Sequence, residues 1–211
     1  MCTREVELEQ TLKLRWLVLG AFLSSLGTSF IWPLTSIYLH NELHQTLTMI
    51  GIVLLLYSGT NVVGSYLAGI LFDRVDPQKL VLIGLGVDIL VMVSLIFVNG
   101  WPAYPILLSV VGFFNGWLTT SINSMGTLIR DRDGRYVFNM IYFAVNLGVV
   151  IGTSIVGFMY KGSVAPLFMI TAILYFLYIG VVVRHYRVKR VANEGSGRAT
   201  KRNVQINSAN M

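Results

Sequence analysis

Six long apolar stretches, at residues 17–39, 47–72, 80–98, 103–129, 136–160 and 164–183, constrain this chain more than any other feature. Each is close to or beyond the ~20 residues that carry a helix across a hydrocarbon layer about 30 Å thick. Strands would cross in only ~9 to 11 alternating residues, and these runs are longer and continuous. Backbone groups in lipid must also be satisfied within each segment, so helices are the reading that remains. The expected fold is an all-α integral membrane protein with six transmembrane helices.

Charge sorts the gaps between them. Of the 16 Lys and Arg residues, 15 fall in every second gap or at the two ends, and only Lys161 falls on the other side. Cationic loops stay in the cytoplasm during insertion, so both termini are expected there. The organisation that follows is an amino-terminal cytoplasmic segment (1–16), a six-helix bundle (17–183) and a basic flexible cytoplasmic tail (184–211). The net charge of +6 is accounted for by this sidedness and by anionic lipid headgroups, and does not call for a nucleic-acid partner. Glu5, Glu7 and Glu9 precede the first stretch, which is too long for a cleavable leader, so that helix is expected to persist. The single cysteine, Cys2, supports no disulfide framework and no thiol catalyst.

Within the six stretches the one ionisable acid or base is Asp88, near the middle of the third. A charge at that depth is expensive, which leaves two readings: a proton site, or a neutral carboxyl held by hydrogen bonds. Neutral polar residues recur at Ser25, Thr28, Trp32, Asn61, Asn115, Trp117, Thr119 and Asn146. They serve either interhelical hydrogen bonding or a cavity wall that meets solute. Gly112 with Gly116, and Gly148 with Gly152, stand four apart, the spacing that lets membrane helices approach closely. Pro33 removes a backbone hydrogen bond and marks a bend late in the first helix. No histidine reaches a membrane-embedded serine, no phosphate-cradling glycine loop occurs, and His40 with His44 has only Glu42 nearby as a further ligand. Neither an enzyme nor a metal or organic cofactor is expected.

The second stretch closes on Gly-Ile-Leu-Phe-Asp-Arg, residues 69–74. This segment resembles the loop motif of the major facilitator superfamily, Gly-x-Leu-Ala-Asp-Arg-x-Gly-Arg-Lys. Gly69, Leu71, Asp73 and Arg74 match; Asp76 replaces a glycine, Pro77 and Gln78 replace two cations, and Lys79 is the nearest substitute. The fifth stretch, from Asn146 through Gly148 and Gly152 to Gly157, is similar to the family's antiporter motif, with Thr153 in place of proline and Val156 in place of a glycine. Gly112 stands where proton-coupled exporters usually carry an arginine in the fourth helix.

The resemblance implies one six-helix bundle, the amino-terminal half of a drug- or small-solute exporter-like transporter of the cell membrane working by alternating access. It implies a gate built on Asp73 and Arg74, with Arg130, Arg132 and Arg135 as candidate partners. It implies a cavity lined by Thr28, Trp32, Asn115 and Thr119, with Asn146 near. Two inverted three-helix repeats are also implied, although no repeat is visible in the residues. The expected partners are the lipid bilayer, a small-molecule solute and a second six-helix bundle, supplied by a longer reading frame, a separate chain or a second copy. The alternative is a non-transporting membrane scaffold or regulatory partner protein.

Overall fold

A computed structural model describes residues 7–10, 12–160, 163–186 and 188–191. Cys2, Lys161 and the tail beyond residue 191 lie outside them. The first span is two helices, α1 (Leu14–Thr28) and α2 (Ile31–Asn41). The others are α3 (Leu47–Phe72), α4 (Pro77–Phe97), α5 (Ala103–Thr127), α6 (Gly134–Met159) and α7 (Ala165–His185). All six spans are long and apolar enough to cross a membrane. Two short strands, β1 (Glu7–Gln10) and β2 (Val188–Val191), pair antiparallel, so both ends of the bundle segment meet at one end of the molecule. The helical region therefore runs from Leu14 to His185, slightly beyond the expected 17–183, and β2 takes up the first part of the expected tail.

Local chemistry explains where the helices start and break. Thr46, Asp76 and Asp133 cap α3, α4 and α6 by accepting hydrogen bonds from the backbone N–H of Met49, Gln78 and Arg135. Pro77 occupies the first turn of α4, where its missing N–H costs nothing. Asp76-Pro77-Gln78, the stretch that departs from the family's loop pattern, is thus a helix start. Gln78 Nε2 then donates to the carbonyl of Val182 at 3.0 Å and ties α4 to the end of α7. The first span breaks at Ser29 and Phe30, four residues before Pro33, because a proline ring clashes with the carbonyl of residue i−4. At the terminal end the Trp16 ring stacks on His185 at 3.6 Å, and Tyr186 Oη donates to the Trp16 carbonyl at 3.1 Å.

Packing is organised by pairs: α3 with α5, α1 with α6, α4 with α7, and the antiparallel contacts of α4 with α5 and α1 with α7. Exchanging the first three spans for the last three maps this set of pairs onto itself, with every span reversed in direction. The inverted repeat that the residues hide is therefore present in the packing. Two apolar clusters fill the interior, one towards the terminal end around Leu80, Leu118 and Tyr178, the other towards the opposite end around Leu34, Met92, Leu108 and Phe168.

Small residues set the two parallel crossings. A Cβ added at Gly116 would run into the Asn61 carbonyl of α3, and one at Gly64 would run into the Phe113 carbonyl of α5. On the other side, a Cβ at Gly148 would lie 2.9 Å from both the Phe22 carbonyl oxygen and the Leu26 nitrogen of α1. Backbone meets backbone at these places, and dispersion is the main attraction available between helices in lipid. Gly116→Val should therefore destabilise the bundle by about 1–3 kcal/mol, the usual cost of overpacking. Gly59→Ala, where nothing lies within 4 Å of the new methyl, should leave stability unchanged or raised. Thermal unfolding of the detergent-solubilised protein, followed by fluorescence-detected size exclusion, separates the two.

Candidate functional site

An open cavity of about 510 Å³ is lined by α1, α5 and α6. Helical spacing explains its polar wall. On α5, Asn115, Thr119 and Asn123 recur every four residues and so share one face. α1 presents Ser24, Ser25 and Thr28, and α6 presents Asn139 and Tyr142 among apolar neighbours such as Val145 and Val149. The cavity extends from mid-span, at Thr28, Asn115 and Val149, towards the terminal end, at Asn123, Phe138 and Asn139.

Some of the wall is already committed to structure. Ser25 Oγ donates to the Val145 carbonyl at 2.7 Å and pins α1 to α6. Asn115 Nδ2 donates to Tyr57 Oη at 2.7 Å, and Thr28 Oγ1 folds back onto the Ser24 carbonyl at 3.1 Å. Among the described residues, the side chains of Thr119, Asn123 and Asn139 make no hydrogen bond, so their amides and hydroxyl are free for water or solute. Among the described residues, no Lys, Arg, His, Asp or Glu lines the cavity. The wall offers neutral donors and acceptors beside apolar surface, a combination suited to binding and orienting a solute rather than to acid–base or nucleophilic chemistry.

Of the residues expected to line a cavity, Thr28, Asn115 and Thr119 border this one. Trp32 does not: it lies on α2 beyond the break, 52 % exposed, edge-on to Tyr57 with ring centroids 6.5 Å apart. Asn146 is not among its lining residues and donates to the Tyr142 carbonyl of its own helix at 2.8 Å. Asn123, Asn139, Ser24 and Tyr142 were not singled out from the sequence. The four-residue spacing of Asn115, Thr119 and Asn123 was the available signal for the first of them.

The motif residues gather at the terminal end. Asp73, Arg74 and Lys79 are exposed in and just after the α3–α4 turn, and Arg130, Arg132 and Arg135 are exposed around the α5–α6 turn. The backbone N–H groups of Arg74 and Val75 both bond to the Leu71 carbonyl, which closes the first turn tightly. Gly69 is not crowded: the nearest atom to an added Cβ is Thr120 Cγ2 at 4.0 Å. Asp88 lies elsewhere, in the middle of α4, with none of its surface exposed and no hydrogen-bond partner for either oxygen among the described residues.

Residues 17–208 match the family model described as Major Facilitator Superfamily. The chain belongs to that superfamily. It is 37% identical over 174 residues to the uncharacterized MFS-type transporter YttB of Bacillus subtilis (strain 168), covering 82% of this chain and 44% of that protein. It is 26% identical over 170 residues to the multi-drug resistance efflux pump PmrA homolog of Lactococcus lactis subsp. lactis (strain IL1403), covering 75% of this chain and 42% of that one. Among solved structures, the peptide transporter POT in complex with alafosfalin shares the fold with a TM-score of 0.72 at 19% identity, over 81% of this chain and 37% of that one. The chain thus spans less than half the length of the curated relatives it matches.

Solvent access to the wall can be read directly. With Cys2 replaced by serine, cysteines at Thr119, Asn123 and Asn139 should react with a water-soluble maleimide in membranes. Cysteines at the buried Thr171 and Leu95 should not, and labelling yields on the protein band provide the comparison.

Proposed function

We propose that this chain acts as the amino-terminal bundle of a secondary active transporter for small solutes or drugs, working by alternating access together with a second six-helix bundle. The observation that carries this reading is the uncharged cavity on α1, α5 and α6, in a chain that spans less than half of its transporter relatives. Half a central cavity needs an opposite wall, and in two-bundle carriers the solute site lies between bundles near mid-membrane. The name of the Lactococcus relative supports a drug-like solute.

The distribution of Lys and Arg supports cytoplasmic termini in the cell membrane, and the cavity then extends towards the cytoplasm, as in the inward-facing half of a cycle. The exposed charges Asp73 and Arg74, with Lys79 near, form one side of a gate. Arg130, Arg132 and Arg135, on the neighbouring turn at the same end, form the other. Thr28, Asn115 and Thr119 contact solute; Trp32 and Asn146 belong outside this contact set. Asp88 is the candidate proton site.

Two measurements test this reading. Co-expression with the carboxy-terminal bundle of the Bacillus relative should give energy-dependent extrusion of a dye such as ethidium that neither bundle gives alone. Thr119→Trp, which fills the cavity, should abolish the extrusion, and Asp73→Asn should slow it several-fold. Absence of movement for a panel of dyes and solutes, with both bundles present in the membrane, would leave the scaffold role. Sidedness is checked independently: a cysteine at Ser196 should resist an impermeant maleimide in sealed cells and react once the cells are opened.

A further inference from the structure

The terminal half of the cavity carries one free amide on each of two neighbouring helices, at matching depth. Asn123 stands about 6 Å in from the end of α5 at Thr127, and Asn139 about 7.5 Å in from the start of α6 at Gly134, for a helix rise of roughly 1.5 Å per residue. Both line the cavity, both are exposed, and among the described residues neither side chain makes a hydrogen bond. Two rings accompany them: Phe138 precedes Asn139, and Tyr142 follows it by about one turn on the same wall. The helices are close at this level, because a Cβ added at Gly126 of α5 would lie 3.0 Å from Ile141 Cδ1 and 3.5 Å from the Phe138 ring.

A primary amide selects its partner by the balance of donors and acceptors. Each asparagine side chain offers N–H donors and a carbonyl acceptor side by side in one plane. A carboxylate returns only acceptors and an amidinium only donors, so either leaves half of the amide unmatched. A group with a donor and an acceptor next to each other matches both, in the two-bond pairing by which asparagine reads adenine. In open water a mismatch is made good by solvent, but once a second bundle covers the cavity each unmatched atom costs the bond it has lost. A charge pressed on this wall would also find no counter-ion among the described lining residues. Asn115, by contrast, already gives an N–H to Tyr57, and the Thr119 hydroxyl satisfies a donor or an acceptor equally. The discrimination therefore falls on Asn123 and Asn139.

We infer that the end of the cavity at Asn123 and Asn139 is the subsite for an uncharged planar aromatic group with a donor and an acceptor side by side, such as an aromatic primary amide, a lactam or an amino-substituted nitrogen heterocycle. Its ring lies against Phe138 and Tyr142, where aromatic faces and edges attract, and its polar edge bonds to the two amides. A charge elsewhere on a larger solute faces away from this wall. Calling that group part of a transported solute rests on the transporter reading, whereas its binding here does not.

Benzamide, benzoate and benzamidinium share one shape and differ in the edge they present, so together they test the assignment. Each is added at millimolar concentration to the full chain alone in phosphatidylcholine nanodiscs, where both faces are reachable. Cys2→Ser removes the native thiol and Thr119→Cys reports occupancy, since it stands about 6 Å from Asn123 along α5. Benzamide should slow maleimide labelling of that cysteine at a concentration about fivefold or more below those needed of benzoate and benzamidinium. Asn123→Leu and Asn139→Leu should each raise the benzamide requirement about threefold or more, and Asn146→Leu, on the same helix but outside the wall, should leave it unchanged. Equal protection by all three probes, no protection by benzamide, or a requirement that both wall variants leave unchanged overturns the proposal. So does protection led by either ion, and a lead by benzoate would assign the binding to the arginines around the α5–α6 turn. The comparison of probes needs no change at either asparagine, so it stands even where a leucine variant fails to fold. Dye extrusion by the paired bundles can fail while benzamide binds, and the reverse, so the two readings fall separately.

Discussion

Backbone-to-backbone approach between parallel helices is the constraint on which the bundle depends. In hydrocarbon every peptide group is satisfied inside its own helix, and burying one more leucine gains nothing over leaving it in lipid. What remains is the fit of surfaces, and the closest fit is obtained where a side chain is missing. Gly116 and Gly64 seat α5 on α3, and Gly148 seats α6 on α1. Interhelical bonds such as Ser25 to Val145 and Trp117 to Leu80 then fix rotation and register. The cavity follows from this geometry, because α1 and α5 are held by their parallel partners and cannot also close fully on each other.

The spans were legible in the sequence because the physics that sets them is one-dimensional: a run of apolar residues either reaches across a hydrocarbon layer or does not. Pro33 likewise announced the bend, although the break falls a turn earlier, at the carbonyl its ring displaces. The glycine pairs were legible as close contacts but not as to which helix they contact. Rotation about each helix axis was the part that could not be read. Trp32 and Asn146 look like wall residues by type, yet Trp32, beyond the break between α1 and α2, packs edge-on to Tyr57, and Asn146 bonds to the Tyr142 carbonyl of its own helix. Asn139 stands seven residues before Asn146, a spacing that shares a helix face, but its nearer neighbours on that face of α6 are aromatic or apolar. The inverted repeat was hidden for a related reason: it is conserved in which helices touch, and many residue choices satisfy the same contacts.

Departures from the family's loop motif acquire a local explanation in the structure. Where the pattern has a glycine and two cations, this chain has Asp76, Pro77 and Gln78, which cap, start and anchor α4. The cationic charge at that end is carried instead by Arg74, Lys79 and the three arginines around the α5–α6 turn. Two functions that the motif combines in one loop, shaping the turn and presenting charge, are here divided between two neighbouring turns.

The same separation extends into the membrane. A charged group on the cavity wall would fix the sign of any solute that could bind there, since an unpaired ion in low dielectric is costly. Among the described residues this wall carries only amides, hydroxyls and apolar surface, and the mid-span acid Asp88 is buried and not part of it. On the proposed reading, recognition by Asn115, Thr119 and their neighbours is therefore free of a charge requirement. On the same proposed reading, a change in the protonation of Asp88, which does not line the wall, is felt through packing instead. Creating a carboxylate among α3, α4, α5 and α7 raises the cost of the compact arrangement without altering the chemistry presented to solute. An acid placed there can bias which way the cavity opens while leaving what it binds unchanged, a division suited to a carrier of chemically varied solutes.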